Sequence, residues 1–288
     1  MAELEQSALW SVRLGEVSNA VSSGVPVLSG EAVGFAVSGT VMQRGRWRMV
    51  ETETGIFGCV EAPVSGLAET AADVYRDLFL GTSGWHLYRI WNFVPAINRE
   101  VGGFENYRAF CLGRHEAFRE HFGDDAVRFM PAASAVGTGG ESLVAWFVGG
   151  KTPPRHVENP DQVPAYSYPE IHGPRPPSFS RATVTGRRVY VAGTSSIRGH
   201  ETVARGNLAA QVGVTLENLE RVLDEAALGC AGEVQEMNVY LRRAGDFSTV
   251  EALVQEKWRR GCGKLTFLRA EICRSELDVE IETVFCVS

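Results

Sequence analysis

The chain closes with LTFLRAEICRSELDVEIETVF at residues 265–285. Its apolar and polar residues alternate in two runs, which predicts one strand over Leu265–Cys273, a short turn, and a second strand over Leu277–Phe285. Side chains alternate between the two faces of a strand. A hairpin of this form would bring Cys273 close to Glu280 on the returning strand.

The residues before this ending alternate strands with helices. The longest helix is predicted over Leu208–Ala226, where an apolar stripe recurs at helical spacing. The stripe consists of Val212, Leu216, Leu219 and Leu223. The other predicted elements are strands at Ser180–Val184, Arg188–Ala192 and Val234–Leu241 and a helix at Phe247–Trp258.

The first half of the chain repeats this order of elements. Strands are predicted at Gly34–Val37, Trp47–Val50, Ile56–Val60, His86–Val94 and Ser142–Val148, and helices at Leu67–Leu78 and Glu105–His121. The sequence therefore predicts an α+β protein of two similar domains, residues 1–150 and 151–288. Each domain is expected to be a mixed sheet with helices packed on one face.

The two predicted domains are joined by a proline-rich segment, Lys151–Pro177, with eight prolines. Proline lacks a backbone N–H and has a fixed φ, so regular helix or central strand is excluded there. The segment also carries Tyr, His and Arg residues, and long ordered loops of this kind are often functional. We predict that residues 151–180 form an active-site loop.

Composition and charge exclude several classes of protein. The net charge of −7 gives no electrostatic footprint for nucleic acid or an anionic membrane. No apolar run approaches membrane-spanning length, and the opening Met1–Glu5 does not resemble a signal peptide. The six cysteines form no C-x-x-C pair, and the six histidines show no ligand spacing, so no metal site is expected. These features predict a cytoplasmic protein with reduced thiols.

The chain ending resembles that of RidA-type (YjgF-like) proteins, with an Arg-bearing strand, a short turn and the V-E-I-E strand. Longer runs resemble a narrower family, the chorismatases. These runs are YRIWNFVP at residues 88–95, ENYRAFCLGR at 105–114, PAASAVG at 131–137, GPRPPSFSRA at 173–182 and GTSSIRGHE at 193–201. The similarity covers roughly residues 85–288, and the first 60 residues match weakly.

The resemblance implies a RidA-like fold in both domains and cleavage of the enolpyruvyl ether of chorismate, with no metal or organic cofactor. The expected products are pyruvate and 3-hydroxybenzoate. Hydrolysis to 3,4-dihydroxycyclohexa-1,5-diene carboxylate is the alternative within the family. A RidA-like imine deaminase and a non-catalytic module that binds small acids are the alternatives outside it. The partner is chorismate alone, and the oligomeric state, monomer or trimer, stays open.

Breaking an enol ether requires a proton on its methylene carbon, and a carboxyl group supplies it best when its pKa is raised toward neutrality. The resemblance assigns this role to Glu280, which lies between Val279 and Ile281, where burial would raise its pKa. The alternative is that Glu280 and Glu282 both lie on a solvated strand face.

The two carboxylates of chorismate require arginines, which bind carboxylates bidentately. Arg114 and Tyr107 bracket an apolar stripe on one predicted helix, and the predicted loop supplies Arg175, Arg181 and Tyr166. We predict that all five bind substrate. The alternative for Arg114 is that its charged end extends from an amphipathic helix into water. The alternative for Arg175 and Arg181 is that they lie in a surface loop and hydrogen-bond to backbone carbonyls.

The resemblance further marks Cys273, seven residues before Glu280, as a feature of hydroxybenzoate-forming members. Cys273 is therefore predicted to act with Glu280 in the reaction. Ser195 falls in the other segment that tunes product choice, but it departs from the small Ala or Gly expected there. His200 is predicted to be structural and outside the site.

Overall fold

The structure is a computed structural model that describes residues 8–15, 20–228 and 230–288. The opening segment Met1–Glu5, on which the signal-peptide prediction rests, lies outside the described residues. The helices are α1 (Leu67–Gly81), α2 (Asn106–Phe122), α3 (Leu208–Ala227) and α4 (Phe247–Lys257).

Most of the nineteen strands in the described part of the chain form two sheets. In the first half they are β1 (Leu9–Leu14), β2 (Ala20–Ser29), β3 (Val33–Val37), β4 (Met42–Arg44), β5 (Trp47–Glu51), β6 (Gly55–Pro63), β7 (His86–Pro95), β8 (Glu100–Val101), β9 (Phe104–Glu105), β10 (Ala132–Thr138) and β11 (Ser142–Gly150). In the second half they are β12 (Arg155–Val157), β13 (Ala182–Thr185), β14 (Arg188–Thr194), β15 (Ile197–Arg198), β16 (Glu201–Thr202), β17 (Gly232–Leu241), β18 (Lys264–Arg269) and β19 (Val279–Val287).

The two sheets share an internal order. The six-stranded sheet runs β10-β7-β11-β6-β5-β4, and the nine-stranded sheet runs β12-β13-β14-β19-β17-β18-β2-β1-β3. In each sheet a helix connects two neighbouring parallel strands, β7 with β10 and β17 with β18. The last strand of each half pairs antiparallel with the first strand of that pair, so β11 lies beside β7 and β19 lies beside β17. The repeat that the order of elements predicted is therefore present in the topology.

Each sheet is covered by helices on one face only. Helices α1 and α2 pack on the six-stranded sheet, and α3 and α4 on the nine-stranded sheet. The stripe predicted on α3 is buried, and the Asn207 side chain caps that helix by accepting a hydrogen bond from the backbone N–H of Ala210. The predicted α+β class with helices on one face of each mixed sheet is confirmed.

The uncovered faces of the two sheets pack against each other. Their shared core is rich in aromatic side chains. For example, the ring centroids of Trp10 of β1 and Trp146 of β11 lie 5.0 Å apart. Polar residues of both sheets also meet at this interface, and the candidate site is built from them.

Strands β1 and β2 were not predicted, whereas β3 was predicted as Gly34–Val37. All three extend the nine-stranded sheet through the pairing of β2 with β18. Strand β2 of the first half is thus hydrogen-bonded to β18 of the second half. The domain division at residue 150 stays a prediction.

The predicted closing hairpin is wrong. Strand β18 ends at Arg269, because the chain then crosses to the other sheet, where the carbonyl of Glu271 accepts a hydrogen bond from the N–H of Gly137. Strand β19 begins at Val279, and β17 lies between it and β18. Cys273 therefore lies in a loop and not at the end of a strand as predicted.

The proline-rich segment contains only the short edge strand β12 and two turns of 3-10 helix, as its proline content requires. Within the described ranges, no helix combines the length and apolarity needed to cross a membrane. The cytoplasmic location stays a prediction.

Candidate active site

Glu280 and Glu282 lie two residues apart on β19, so their side chains point to the same face of the sheet, the face that packs against the other sheet. Both are almost fully buried, with 3% and 2% of their surface exposed. The solvated strand face considered in the sequence analysis is therefore excluded for both.

The environment of Glu280 disfavours its charged form. Oε1 of Glu280 has no hydrogen-bond partner among the described residues. Burial, followed by the neighbouring charge of Glu282, raises the pKa of Glu280 to about 8, against the opposing effects of Arg89, the Ser195 hydroxyl and Arg181. At neutral pH this carboxyl group holds its proton.

Gly193 of β14 makes room for this carboxyl group. A Cβ atom at residue 193 would lie 2.7 Å from Cδ of Glu280 and 2.9 Å from Oγ of Ser134. Any larger side chain at this position would displace the glutamate, so the glycine is required by close approach rather than by a turn.

Glu280 faces a cavity of about 290 Å³ that opens at the edge of the sheet interface. Tyr107 of α2, Arg181 before β13 and Cys273 in the loop before β19 also line it. An inner chamber of about 30 Å³ continues from it, sharing Tyr107, Cys273 and Glu280 and adding Arg114. Five of the seven predicted site residues therefore line two adjoining spaces.

Arg114 points from α2 into the inner chamber. Its guanidinium lies over the ring of Tyr75, 4.9 Å from the centroid, and the Tyr75 hydroxyl is fixed by donating to Oδ1 of Asn92. Nε and Nη2 of Arg114 are buried and have no hydrogen-bond partner in the described part of the chain. A buried guanidinium with unpartnered N–H groups is suited to bind an anion.

Arg181 is held at the wall of the larger cavity. Its Nη2 donates to the hydroxyl of Tyr168 at 2.8 Å, and its guanidinium lies 5.3 Å from the ring centroid of Phe179. Nε of Arg181 is buried without a partner among the residues described. The site thus contains two buried arginines whose hydrogen-bonding capacity is incompletely used.

Cys273 adjoins Glu280 even though the hairpin expected to bring them together does not exist. Burial, followed by the charge of Glu280, raises the pKa of the Cys273 thiol to about 12. Cys273 is therefore a neutral thiol at neutral pH, which can contact a substrate but is a poor nucleophile.

Tyr166 and Arg175 are not brought together with these residues. Both line a separate cleft beside the second half of α2, with His115 and Arg119. The proline-rich segment explains the separation: residues 177–181 turn into the Glu280 cavity, whereas Arg175 lies exposed two residues earlier. Their binding roles stay predictions that this arrangement does not favour.

Residues 35–149 match the family model described as chorismatase FkbO/Hyg5-like, N-terminal, and residues 174–287 match the model described as endoribonuclease L-PSP. A curated chorismatase of Streptomyces rapamycinicus is 39% identical over 249 residues, which cover 80% of this chain and 74% of that protein. The chain belongs to the chorismatase family.

Two further proteins similar to this chain are consistent with its membership of the chorismatase family. A 3-hydroxybenzoate synthase of Streptomyces hygroscopicus is 38% identical over 221 residues, covering 69% of this chain and 63% of that protein. A chorismatase crystal structure at 1.08 Å resolution matches with a TM-score of 0.81 and 28% identity, covering 99% of this chain and 95% of that one.

Several cavity residues of this family member were not predicted. His200 was expected to be structural, but it lines the mouth of the cavity, where its Nδ1 lies 3.0 Å from Nε2 of His172. Arg274 lines the same mouth and donates to the carbonyl of His200. These contacts join the loop before β13, the β15–β16 hairpin and the loop before β19, so sequence spacing gave no signal for them.

No cluster of three or more His, Cys, Asp or Glu side chains with the arrangement of a metal site occurs within residues 8–15, 20–228 and 230–288. The expectation that the chemistry needs neither a metal nor an organic cofactor stays a prediction.

Proposed function

We propose that the chain cleaves the enolpyruvyl ether of chorismate into pyruvate and 3-hydroxybenzoate, with Glu280 as the proton donor. The observation that carries the proposal is a buried carboxyl group, with Oε1 unpartnered among the described residues, beside two buried arginines that retain N–H groups without partners in the same part of the chain. The names of the relatives support the same substrate and product.

The arginines match the charge of the substrate. Chorismate carries two carboxylates, one on the ring and one on the enolpyruvyl group. Arg114 in the inner chamber and Arg181 in the wall of the cavity can each bind one carboxylate, because both have buried N–H groups with no partner among the described residues to donate to it. Binding would exclude water from a cavity that is already narrow, which strengthens both interactions.

In the chemical step, Glu280 gives its proton to the methylene carbon of the enolpyruvyl group, which becomes the methyl group of pyruvate. The positive charge that develops on the ether carbon is stabilised by the carboxylate formed on Glu280. Of the two oxygens at ring C3 and C4, one stays at C3 as the phenol hydroxyl and the other becomes the keto oxygen of pyruvate, so the net change at the ring is the loss of the C4–O bond. The ring gives up one proton as it aromatises, so Glu280 can be reprotonated with no net uptake of water or protons.

The experiment couples pyruvate release to lactate dehydrogenase. We expect wild-type protein to release pyruvate from chorismate and Glu280→Gln to lose that activity by about 100-fold or more, as for removal of a general acid. Glu233→Gln, the same change at an exposed residue of β17, is the control and should keep wild-type activity. Undiminished activity in Glu280→Gln would remove Glu280 from the mechanism, and turnover of an imino acid without turnover of chorismate would favour a RidA-like deaminase.

The choice of product depends on Cys273. Because its neutral thiol lies beside Glu280, we propose that it contacts the side of the ring that aromatises. We expect Cys273→Val, which is similar in size but cannot donate a hydrogen bond, to shift the product from hydroxybenzoate toward the dihydrodiol acid. Chromatography of the aromatic products measures the ratio, and an unchanged ratio would discard this role.

A further inference from the structure

We propose that Glu282 is a positioning residue, a buried and fixed anion that keeps the neighbouring Glu280 carboxyl group protonated for proton transfer. The inference rests on the proposed function for its purpose. The effect of Glu282 on the protonation of Glu280 is a property of the protein alone and can be measured without substrate.

Glu282 is surrounded by five donor side chains, which we call the donor cage. Oε1 of Glu282 accepts hydrogen bonds from Nε1 of Trp91 at 2.7 Å, Nδ2 of Asn238 at 3.0 Å and the hydroxyl of Tyr240 at 3.0 Å. Oε2 accepts from Arg89 and from the hydroxyl of Ser134.

The donor cage determines the charge of Glu282. The contacting groups of Trp91, Asn238 and Arg89 are N–H groups, which can only donate. The hydroxyls of Ser134 and Tyr240 can accept as well as donate, but a proton on Glu282 would remove the negative charge that Arg89 pairs with and weaken the bonds from all three N–H donors, which costs free energy. Glu282 is therefore the ionised member of the pair, whereas Oε1 of Glu280 has no hydrogen-bond partner within the described ranges.

The donor cage also fixes the position of the charge. Arg89 and Trp91 lie on β7 and Ser134 on β10 of the six-stranded sheet, whereas Asn238 and Tyr240 lie on β17 of the nine-stranded sheet. Because donors from both sheets converge on one carboxylate, Glu282 cannot turn toward solvent, and the repulsion that it exerts on an ionised Glu280 persists.

Other groups also act on Glu280. Those that face it are Arg89 from β7, Arg181 before β13, Ser195 after β14, Tyr240 from β17 and Cys273 before β19, with Arg114 of α2 across the inner chamber. Arg89 opposes the effect of Glu282, but it is already bonded to that carboxylate. Burial is the larger cause of the raised pKa of Glu280, and Glu282 is the second.

The experiment is a carboxyl-carbon NMR titration of the full chain labelled in its glutamates. The Glu280 signal is identified by its loss in Glu280→Gln. In Glu282→Gln, we expect the titration midpoint of Glu280 to fall by about 1 pH unit or more, because a buried like charge is removed while Arg89 remains. It should stay above that of an exposed glutamate, because burial is unchanged. Glu233→Gln, the same substitution at an exposed position, should leave the midpoint where it is.

An unchanged Glu280 midpoint in a folded Glu282→Gln protein would overturn the proposal. If that variant does not fold, wild-type protein still decides the question. Its Glu282 signal, identified by its displacement in Tyr240→Phe, should have the chemical shift of a carboxylate at neutral pH, and the Glu280 signal that of a carboxylic acid. The reverse assignment of the two signals would overturn the proposal.

The outcome is independent of turnover. If the wild-type protein releases no pyruvate from chorismate but Glu282→Gln still shifts the Glu280 midpoint, the proposed function is contradicted. The effect of Glu282 on the protonation of Glu280 would still stand.

Discussion

At the scale of the residue, the two neighbouring glutamates of β19 differ in their partners. Glu282 accepts hydrogen bonds from five side chains, and Oε1 of Glu280 accepts none from the described residues. A carboxyl group can act as a general acid only in its protonated form, so in the proposed reaction the raised pKa of Glu280 would set the pH range of activity.

We therefore expect kcat/KM for chorismate to be high at neutral pH and to fall as the pH rises through about 8, the pKa of Glu280 in the folded protein. The direction follows because the acid is lost above its pKa. The measurement is pyruvate release across a pH series at low substrate concentration. A profile that falls near pH 4.5, the ordinary value of the group, and stays flat above it would contradict a protonated Glu280.

At the scale of the element, the site depends on how closely β14 approaches β19. The register between these strands is irregular between Val191 and Thr194, and Gly193 lies in that stretch against the carboxyl group of Glu280. The backbone at Gly193 has no positive φ, so alanine can adopt it.

Gly193→Ala should consequently leave the fold intact and move Glu280. We expect pyruvate release to fall by about 100-fold, the cost of misplacing a reacting group by about 1 Å. Thermal unfolding and the same coupled assay test this together. Gly139→Ala, where the added methyl group meets open space, is the control and should change neither quantity. Full activity in Gly193→Ala would show that Glu280 tolerates displacement.

The elements themselves were largely predictable, because helical periodicity depends on neighbouring residues. The apolar stripes of α1 and α3 gave both helices to within three residues of their observed ends. The pairing of strands was not predictable in this way. Alternation shows which face of a strand is buried, not which strand lies beside it, so the insertion of β17 between β18 and β19 left no local signal.

In the site, too, residues within local sequence motifs were predictable, whereas residues that meet only in the folded protein were not. Family motifs led to Glu280, Cys273, Tyr107, Arg114 and Arg181. The donor cage was missed because its members lie on β7, β10 and β17 and meet only when the two sheets pack. Tyr166 and Arg175 were grouped with the site because they were assigned with Arg181 to the predicted active-site loop, but they line a different cleft.

At the scale of the whole molecule, stability depends on the interface between the sheets. Trp10 of β1 is buried there against Phe93, Trp146 and Tyr240. We expect Trp10→Ala to lower the free energy of unfolding by about 3–5 kcal/mol, as for other large aromatic side chains removed from a core. Urea unfolding measures it. Leu9→Ala is the adjacent control: Leu9 is 45% exposed, so its loss should change stability little, and equal losses would contradict the packing described for β1.

The position of Glu280 at the junction of the sheets has a consequence for how the chemistry is divided along the polypeptide. Glu280, the proposed proton donor, lies on β19, whereas Arg114, the proposed carboxylate ligand, lies on α2, more than half the length of the protein earlier. A single repeat, even one that folded well by itself, would hold only one of these two residues. The proposed turnover would therefore require the tandem arrangement, and we expect it to be lost on excision of either repeat.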